Sequence, residues 1–421
     1  MAATATPITA TPSWVQDAPL YLTTAAAVST EISIAASQIL MGLALVAIVT
    51  SRTRIRWCPA ATALAAWMGW TLVSGAASGR FHDGLPQIKK FYVYLMLVLV
   101  VSTIRIVKGV RNLAFAWAGA AALSAAWGLE QFVRKYESAR AAHQDFYVSY
   151  IGSRITGFMG HWMTFSGQMM IAVLLMLALI LFSRDARGKK WLIGAALLAS
   201  VALLAAETRS MWGGAAAGAV YLLWCKRRWF IFALPALVGV LLIVNPFEVR
   251  ERVISIVRPR GDVDSNEHRS VLRRVGWEMI KAHPMTGLGP EQVGPNFTRY
   301  LPADVARPLP TGYYEHLHNI YFHYAAERGL PALAALLWFF GRLLYDCGRA
   351  LLRLPKDSEA RWVLHAVIAA TIAFMLGGYF EVNWGDSEVL GMFLAVAGCG
   401  YVAAQTQTIQ SKLGVTPDTS P

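Results

Sequence analysis

Residues 163–182, MTFSGQMMIAVLLMLALILF, run for twenty positions without one charged side chain. At 1.5 Å per residue a helix of that length covers about 30 Å, the hydrocarbon thickness of a bilayer. The stretch therefore reads as a membrane-crossing helix. Comparable apolar runs recur at 34–50, 59–78, 91–104, 112–129, 191–206, 211–224, 229–245, 330–345, 362–380 and 389–404. Several fall short of the roughly 20 residues a crossing needs, so their ends must borrow neighbours or tilt. Composition agrees: the 421 residues are 56% hydrophobic and 15% charged, against roughly 25% charged in soluble domains. The expected fold class is all-α, a polytopic integral membrane protein. These runs make eleven spans, and segment 17–33 leaves a twelfth open.

The net charge of +13 would point to nucleic acid in a soluble protein. Here the basic residues gather in short segments between apolar runs. They are Arg52, Arg54 and Arg56; Arg105, Lys108 and Arg111; Arg184, Arg187, Lys189 and Lys190; Lys226, Arg227 and Arg228; and Arg342, Arg349, Arg353, Lys356 and Arg361. Two crossings separate one cluster from the next until the long 246–318 segment intervenes, which puts the clusters on one face, the cytoplasmic one. Segments 79–90, 131–161, 207–210, 246–318 and 381–388 then share the outer face. Membrane lipids are the expected surroundings, and no nucleic-acid partner is expected. Cys58, Cys225 and Cys347 sit at inner ends and Cys399 within a span, so no disulfide framework is implied. The first 18 residues lack the basic start of a cleavable signal.

This pattern divides the chain into N-terminal spans at 1–245 with an outer loop at 131–161, a loop domain at 246–318, C-terminal spans at 319–408 and a tail at 409–421. Inside the long loop, Val271, Leu272, Val275, Met279 and Ile280 recur at helical spacing, which predicts a helix over 265–282 capped by Ser265. A Pro/Gly loop follows, and a second short helix is expected over 290–301.

The residues able to carry chemistry lie in the outer segments. In PLPTGYYEHLHNIYFHYAAERGLPALA, residues 308–334, three histidines stand where a polar segment meets an apolar helix. His318 is the candidate general base, because imidazole exchanges a proton near neutrality. His316, Tyr314 and Asn319 are candidate supporting residues, and His323 points elsewhere on a helix beginning near 317. His316 and His318 alone are too few ligands for a metal site, so neither metal nor cofactor is expected. Arg209 lies in the short turn between two apolar runs, where a guanidinium must snorkel, pair with Glu207 or meet an anion. Its planar fork suits phosphate oxygens. Arg269 and Arg273, four apart on the predicted helix, and Arg154, between Gly152 and Gly157, are further candidates for the same anion site. Glu381 or Asp386 is placed to orient His318.

Four motifs in fixed order bring a resemblance: ETRS at 207–210, RSVLRRVGW at 269–277, HPMTGLG at 283–289, and His318-Asn319 leading to AERGLP at 326–331. The chain resembles bacterial O-antigen ligases, within the group that also holds O-antigen polymerases and O-linked oligosaccharyltransferases. The resemblance implies about twelve helices in the bacterial inner membrane and an active site facing the periplasm. It implies transfer of a glycan from an undecaprenyl pyrophosphate-linked donor to a sugar hydroxyl of lipid A-core. It places the family's essential histidine on His318 and its arginines on Arg209 and Arg269, with Glu381 nearest to a reported acid. The residues fit such chemistry: arginines would stabilise the pyrophosphate leaving group where no metal cage is visible. One evident base without a carboxylate nucleophile beside it points to direct, inverting displacement. A polymerase or protein O-oligosaccharyltransferase would use the same donor. A transporter is a poorer fit, because the charged candidates gather at one face rather than at the midplane.

Overall fold

The computed structural model describes residues 13–258, 266–310 and 312–413. Among them the chain is helical throughout, with no strand. The first half comprises α1 (Ser13–Ser29), α2 (Ile34–Thr50), α3 (Pro59–Ala77), the short α4 (Leu85–Lys89), α5 (Leu95–Thr103), α6 (Val107–Ala141), the short α7 (Phe146–Ile151), α8 (Trp162–Phe182), α9 (Lys189–Ala205) and α10 (Arg209–Lys226). Then come α11 (Ala233–Val244), α12 (Val249–Ile254), α13 (Asn266–Ala282), α14 (Val293–Asn296), α15 (Ile320–Arg328), α16 (Leu330–Arg353), α17 (Ala360–Gly378) and α18 (Ser387–Leu413).

Among the described residues six helical segments are long and apolar enough to cross a membrane: Leu85–Thr103, Val107–Ala141, Trp162–Phe182, Leu330–Arg353, Ala360–Gly378 and Ser387–Gln405. A seventh candidate pairs Arg228–Val244 with Pro246–Ile254 across a bend of 111°. The eleven runs counted in the sequence therefore include several helices, α2 among them, shorter than a full crossing. The molecule is a multi-pass membrane protein. Its centre is α8, α17 and α18, buried along most of their length. Around them, α10 packs on α17 and α8, α9 on α6 and α8, α3 on α16, and α5 on α18. Apolar side chains left exposed on outer helices, such as Val46, Val49, Leu197 and Ile243, suit contact with lipid.

The seam between α10 and α17 follows from a glycine pair. A Cβ at Gly214 would lie 2.8 Å from the Ala373 carbonyl oxygen, and one at Gly218 would lie 2.9 Å from that of Ala369. Two glycines one turn apart thus let the helix backbones touch, the device membrane helices use in place of a hydrophobic drive. This contact fixes the start of α10, where Arg209 stands, against the end of α17, which leads to Glu381.

Outside the bundle a second apolar cluster forms. The predicted face of α13 is buried as expected, with Val271, Leu272, Val275, Met279 and Ile280 against Val293, Phe297, Leu317, Ala325 and Ala326. Ser265, the expected cap, lies outside the described residues. Docking α13 on α15 carries Arg269 towards the approach to α15. The rest of 290–301 forms only α14 and a 3-10 turn at Phe297–Tyr300.

Three boundaries differ from expectation. α6 continues through Ala141, so the outer segment that begins near 131 starts as helix. Its Ala-, Glu- and Arg-rich composition favours helix, and Glu130 and Arg134 form an i,i+4 ion pair there. α15 begins at Ile320 rather than near 317. α18 runs to Leu413, past the expected tail boundary at 408.

Candidate active site

Asn319 decides how the chain enters α15. Its side-chain oxygen accepts hydrogen bonds from the backbone amides of Tyr321 and Phe322 at 2.9 and 3.0 Å, capping the helix. Its amide nitrogen donates to the Tyr379 carbonyl at 2.8 Å, tying the cap to the end of α17. His318, just before the cap, adopts a left-handed backbone with φ of 46°. A histidine pays roughly 1–3 kcal/mol for such a conformation, so the surrounding contacts must hold it there.

The ring shows what is gained. His318 Nδ1 lies 3.1 Å from Glu381 Oε2, and the other carboxylate oxygen of Glu381 is ion-paired with Arg269. Burial pushes the Glu381 carboxyl up, but the Arg269 guanidinium and the His318 hydrogen bond together outweigh it and hold it at about 2. An ionised carboxylate only accepts, so Nδ1 carries a proton and donates it; in the neutral form of the ring the lone pair is then on Nε2. The neighbouring imidazoles are neutral at pH 7. Burial, reinforced by the nearby His318 ring, lowers His268 to about 4 and His316 to about 3. Burial, then the Arg328 guanidinium, lowers His323 to about 3. The His316 and His268 rings stand 4.2 and 5.6 Å from the His318 ring. Among the described residues no group of three His, Cys, Asp or Glu side chains is placed to hold a metal ion.

The opposite wall is built around Glu207, in the turn between α9 and α10. This residue is fully buried and, like His318, left-handed with φ of 46°. Its backbone oxygen accepts from two arginines, Arg154 Nη1 at 3.2 Å and Arg252 Nε at 3.0 Å. Arg209, two residues on, donates to the Ser255 hydroxyl at 3.0 Å. Arg154 also lies over the Trp162 ring, 4.7 Å from its centroid. Burial, and then the Arg252 charge, lower the Arg154 guanidinium to about 9, so it is still cationic at neutral pH. Burial raises the Glu207 carboxyl to about 8 despite Arg252 and Arg154. At neutral pH that side chain is mainly uncharged and neutralises neither arginine.

Between the two walls lies a cleft of about 790 Å³. It is lined by Arg154, Arg209, Arg269, His316, His318 and Glu381, so most of the residues singled out in the sequence converge. Arg273 does not line it. That side chain is exposed, because a residue four positions along a helix is turned by about 40° and raised about 6 Å, and here the next turn faces solvent. Tyr314 also stands outside the lining: its hydroxyl donates to the Pro310 carbonyl at 2.5 Å, and its ring packs on His268 and Phe297. Asn319 acts through the helix cap. Asp386, the alternative partner for His318, lines the cleft but accepts from the Thr164 hydroxyl.

Sequence reasoning missed Arg252, Lys90, His161 and His268 in the lining. Arg252 carries the only local signal, a basic residue beside acids just after an apolar run. Lys90 reaches the site by donating to the Gly385 carbonyl at 3.1 Å, a contact between segments almost 300 residues apart.

Fold and site together define a class: a multi-pass helical membrane protein with a histidine–carboxylate pair facing an arginine-lined cleft at the end of its bundle. Residues 194–337 match the family model described as O-antigen ligase. The matched segment contains Glu207, Arg209, Arg252, Arg269 and His318. The chain has no match among curated proteins.

Proposed function

We propose that this protein transfers O-antigen glycan from undecaprenyl pyrophosphate to a sugar hydroxyl of lipid A-core at the periplasmic face of the bacterial inner membrane. The observation that carries the reading is the opposition of two unlike walls across one cleft, a base held by a carboxylate and a group of arginines anchored on a backbone carbonyl and a hydroxyl. The acceptor hydroxyl gives its proton to His318 Nε2 as its oxygen attacks the anomeric carbon. A new glycosidic C–O bond forms and the bond from that carbon to the pyrophosphate oxygen breaks, inverting the centre. Glu381 remains ionised and stabilises the imidazolium that results. Arg154, Arg209 and Arg252 receive the charge that develops on the departing diphosphate. Arg269 holds Glu381 first and reaches the diphosphate edge only secondarily.

The same reading counts twelve crossings by adding α1, α2, α3, α9, α10 and the α11 segment to the six long spans. The 246–318 segment would then be the periplasmic loop, the cleft opening beneath it. The cleft volume falls within the roughly 300–1,000 Å³ of small-molecule sites, enough for a diphosphate and the sugars flanking it.

Purified protein mixed with undecaprenyl pyrophosphate-linked glycan and lipid A-core, in excess chelator, tests the assignment. Glycan appearing on lipid A-core supports it. Elongated glycan on the carrier, with none on lipid A-core, makes the protein a polymerase, and glycan on a pilin-like acceptor makes it a protein oligosaccharyltransferase. Loss of activity in chelator, restored by a divalent ion, contradicts metal-independent chemistry.

A further inference from the structure

At the other end of α8 a second cavity, of about 400 Å³, has no part in the chemistry above. The two openings are separated by the length of that 21-residue helix, about 30 Å at 1.5 Å per residue. Five cationic side chains line the second one: Arg184 from the loop after α8, Lys189 from the start of α9, Lys226 from the end of α10, Lys356 from the connection between α16 and α17, and Arg361 from the first turn of α17. Ile180, Leu181 and Phe182, the last turn of α8, line it as well. We propose that this cavity binds a phosphate oxyanion, carried by the headgroup of an anionic phospholipid whose acyl chains lie along the apolar end of α8.

Three observations support a binding site rather than a scattered topogenic charge. The cations converge. A positive-inside signal needs only basic residues in the right loops, whereas here three segments distant in sequence bring theirs around one cavity. Their partners leave the charge in place. Lys189 donates to the Ser183 carbonyl at 3.0 Å, Lys226 to the Leu181 carbonyl at 2.5 Å, and Arg361 to the Leu351 and Leu354 carbonyls at 2.8 and 3.2 Å. Each bond fixes a direction without neutralising the cation, and each ammonium or guanidinium keeps further N–H donors. Two carboxylates touch the group and offset part of it, which leaves five cations against two acids. Asp357 reaches only Arg184, at 3.8 Å with both side chains largely exposed, and Glu359 accepts from the Ser183 hydroxyl and the Arg184 amide. The third observation is the lining itself. A free phosphate would need only the cations, while an apolar turn of a membrane helix in the same wall suits an amphipathic molecule. Basic pockets between membrane helices on the positive face have this lipid-binding logic.

The experiment uses the full chain, stripped of lipid in detergent, with phosphatidylglycerol, phosphatidylcholine and inorganic phosphate as probes and native mass spectrometry as readout. Two variants accompany it: Lys189→Gln/Lys226→Gln/Lys356→Gln, and the charge-keeping Lys189→Arg/Lys226→Arg/Lys356→Arg. The wild type and the arginine variant should retain phosphatidylglycerol about tenfold or more tightly than phosphatidylcholine, and the glutamine variant should lose that preference. Phosphate that binds the wild type and displaces the lipid, with both effects lost in the glutamine variant, keeps the oxyanion site and assigns it to a soluble ligand. Equal retention of phosphatidylglycerol by wild type and a monodisperse glutamine variant overturns the proposal.

Discussion

The two walls of the cleft use the same residue types for opposite electrical ends. On the His318 wall, Arg269 is spent on a buried carboxylate, and the pair's remaining influence is to orient one imidazole. On the Glu207 wall, Arg154 and Arg252 bind a backbone oxygen, while the acid of that residue is held largely protonated at neutral pH. A carbonyl holds a guanidinium less tightly than a carboxylate does, and it positions the group without adding a full negative charge beside it. In the proposed function the first wall moves a proton and the second meets an anion. Both walls hang on a residue forced into left-handed backbone at the mouth of a helix, which is where strain tends to be kept for function.

Breaking the proton wall should have the largest effect. Glu381→Gln removes the acceptor that fixes the His318 tautomer and strands Arg269, so kcat should fall roughly a hundredfold or more while the donor KM changes little. A matching rise in KM with kcat intact would mean that Glu381 serves binding instead.

The anion wall should respond differently. Arg209→Ala and Arg252→Ala should each cost about 10- to 100-fold in kcat/KM for the lipid-linked donor, the scale of a lost charge-assisted hydrogen bond. Lysine at either position should recover only part, since a point charge replaces a fork. Steady-state kinetics against varied donor check both, and unchanged donor dependence would remove these arginines from the diphosphate site.

Glu207 sharpens the contrast through pH. Its carboxyl titrates at about 8 in the fold against an ordinary 4.5, because burial opposes its charge. The native state therefore binds the extra proton. The associated stability is complete below about 4.5 and is lost as pH rises through about 8. Glu207→Gln should leave the unfolding midpoint nearly unchanged near pH 4 and raise it above the wild type near pH 9. The same midpoint difference at both pH values would show that the carboxyl is not held protonated. The smallest effect belongs to Arg273, exposed and outside the cleft: Arg273→Ala should change transfer by less than about twofold.

Much of this was legible in the chain. The apolar runs announced the helical bundle, and the five apolar positions of α13 announced the face that docks it. His318, Glu381, Arg154, Arg209 and Arg269 stood out because ionisable groups are costly beside lipid. Arg273 was misplaced because i,i+4 spacing names a shared helix face without saying how much of it a partner covers. Arg252 and Lys90 stayed hidden for a different reason. Their place depends on which segments close on one another, and neither lies in a pattern that local spacing can mark. The backbone oxygen of Glu207, acceptor to two arginines, has no side-chain signature at all.

The most direct test of the account is the single-turnover rate of glycan transfer by purified His318→Ala, with donor and acceptor both saturating and donor binding measured in parallel. The account expects donor affinity close to wild type and a rate lower by about a hundredfold or more. Transfer at the wild-type rate would contradict His318 as the base, and with it the division of the cleft into a wall that moves the proton and a wall that holds the leaving group.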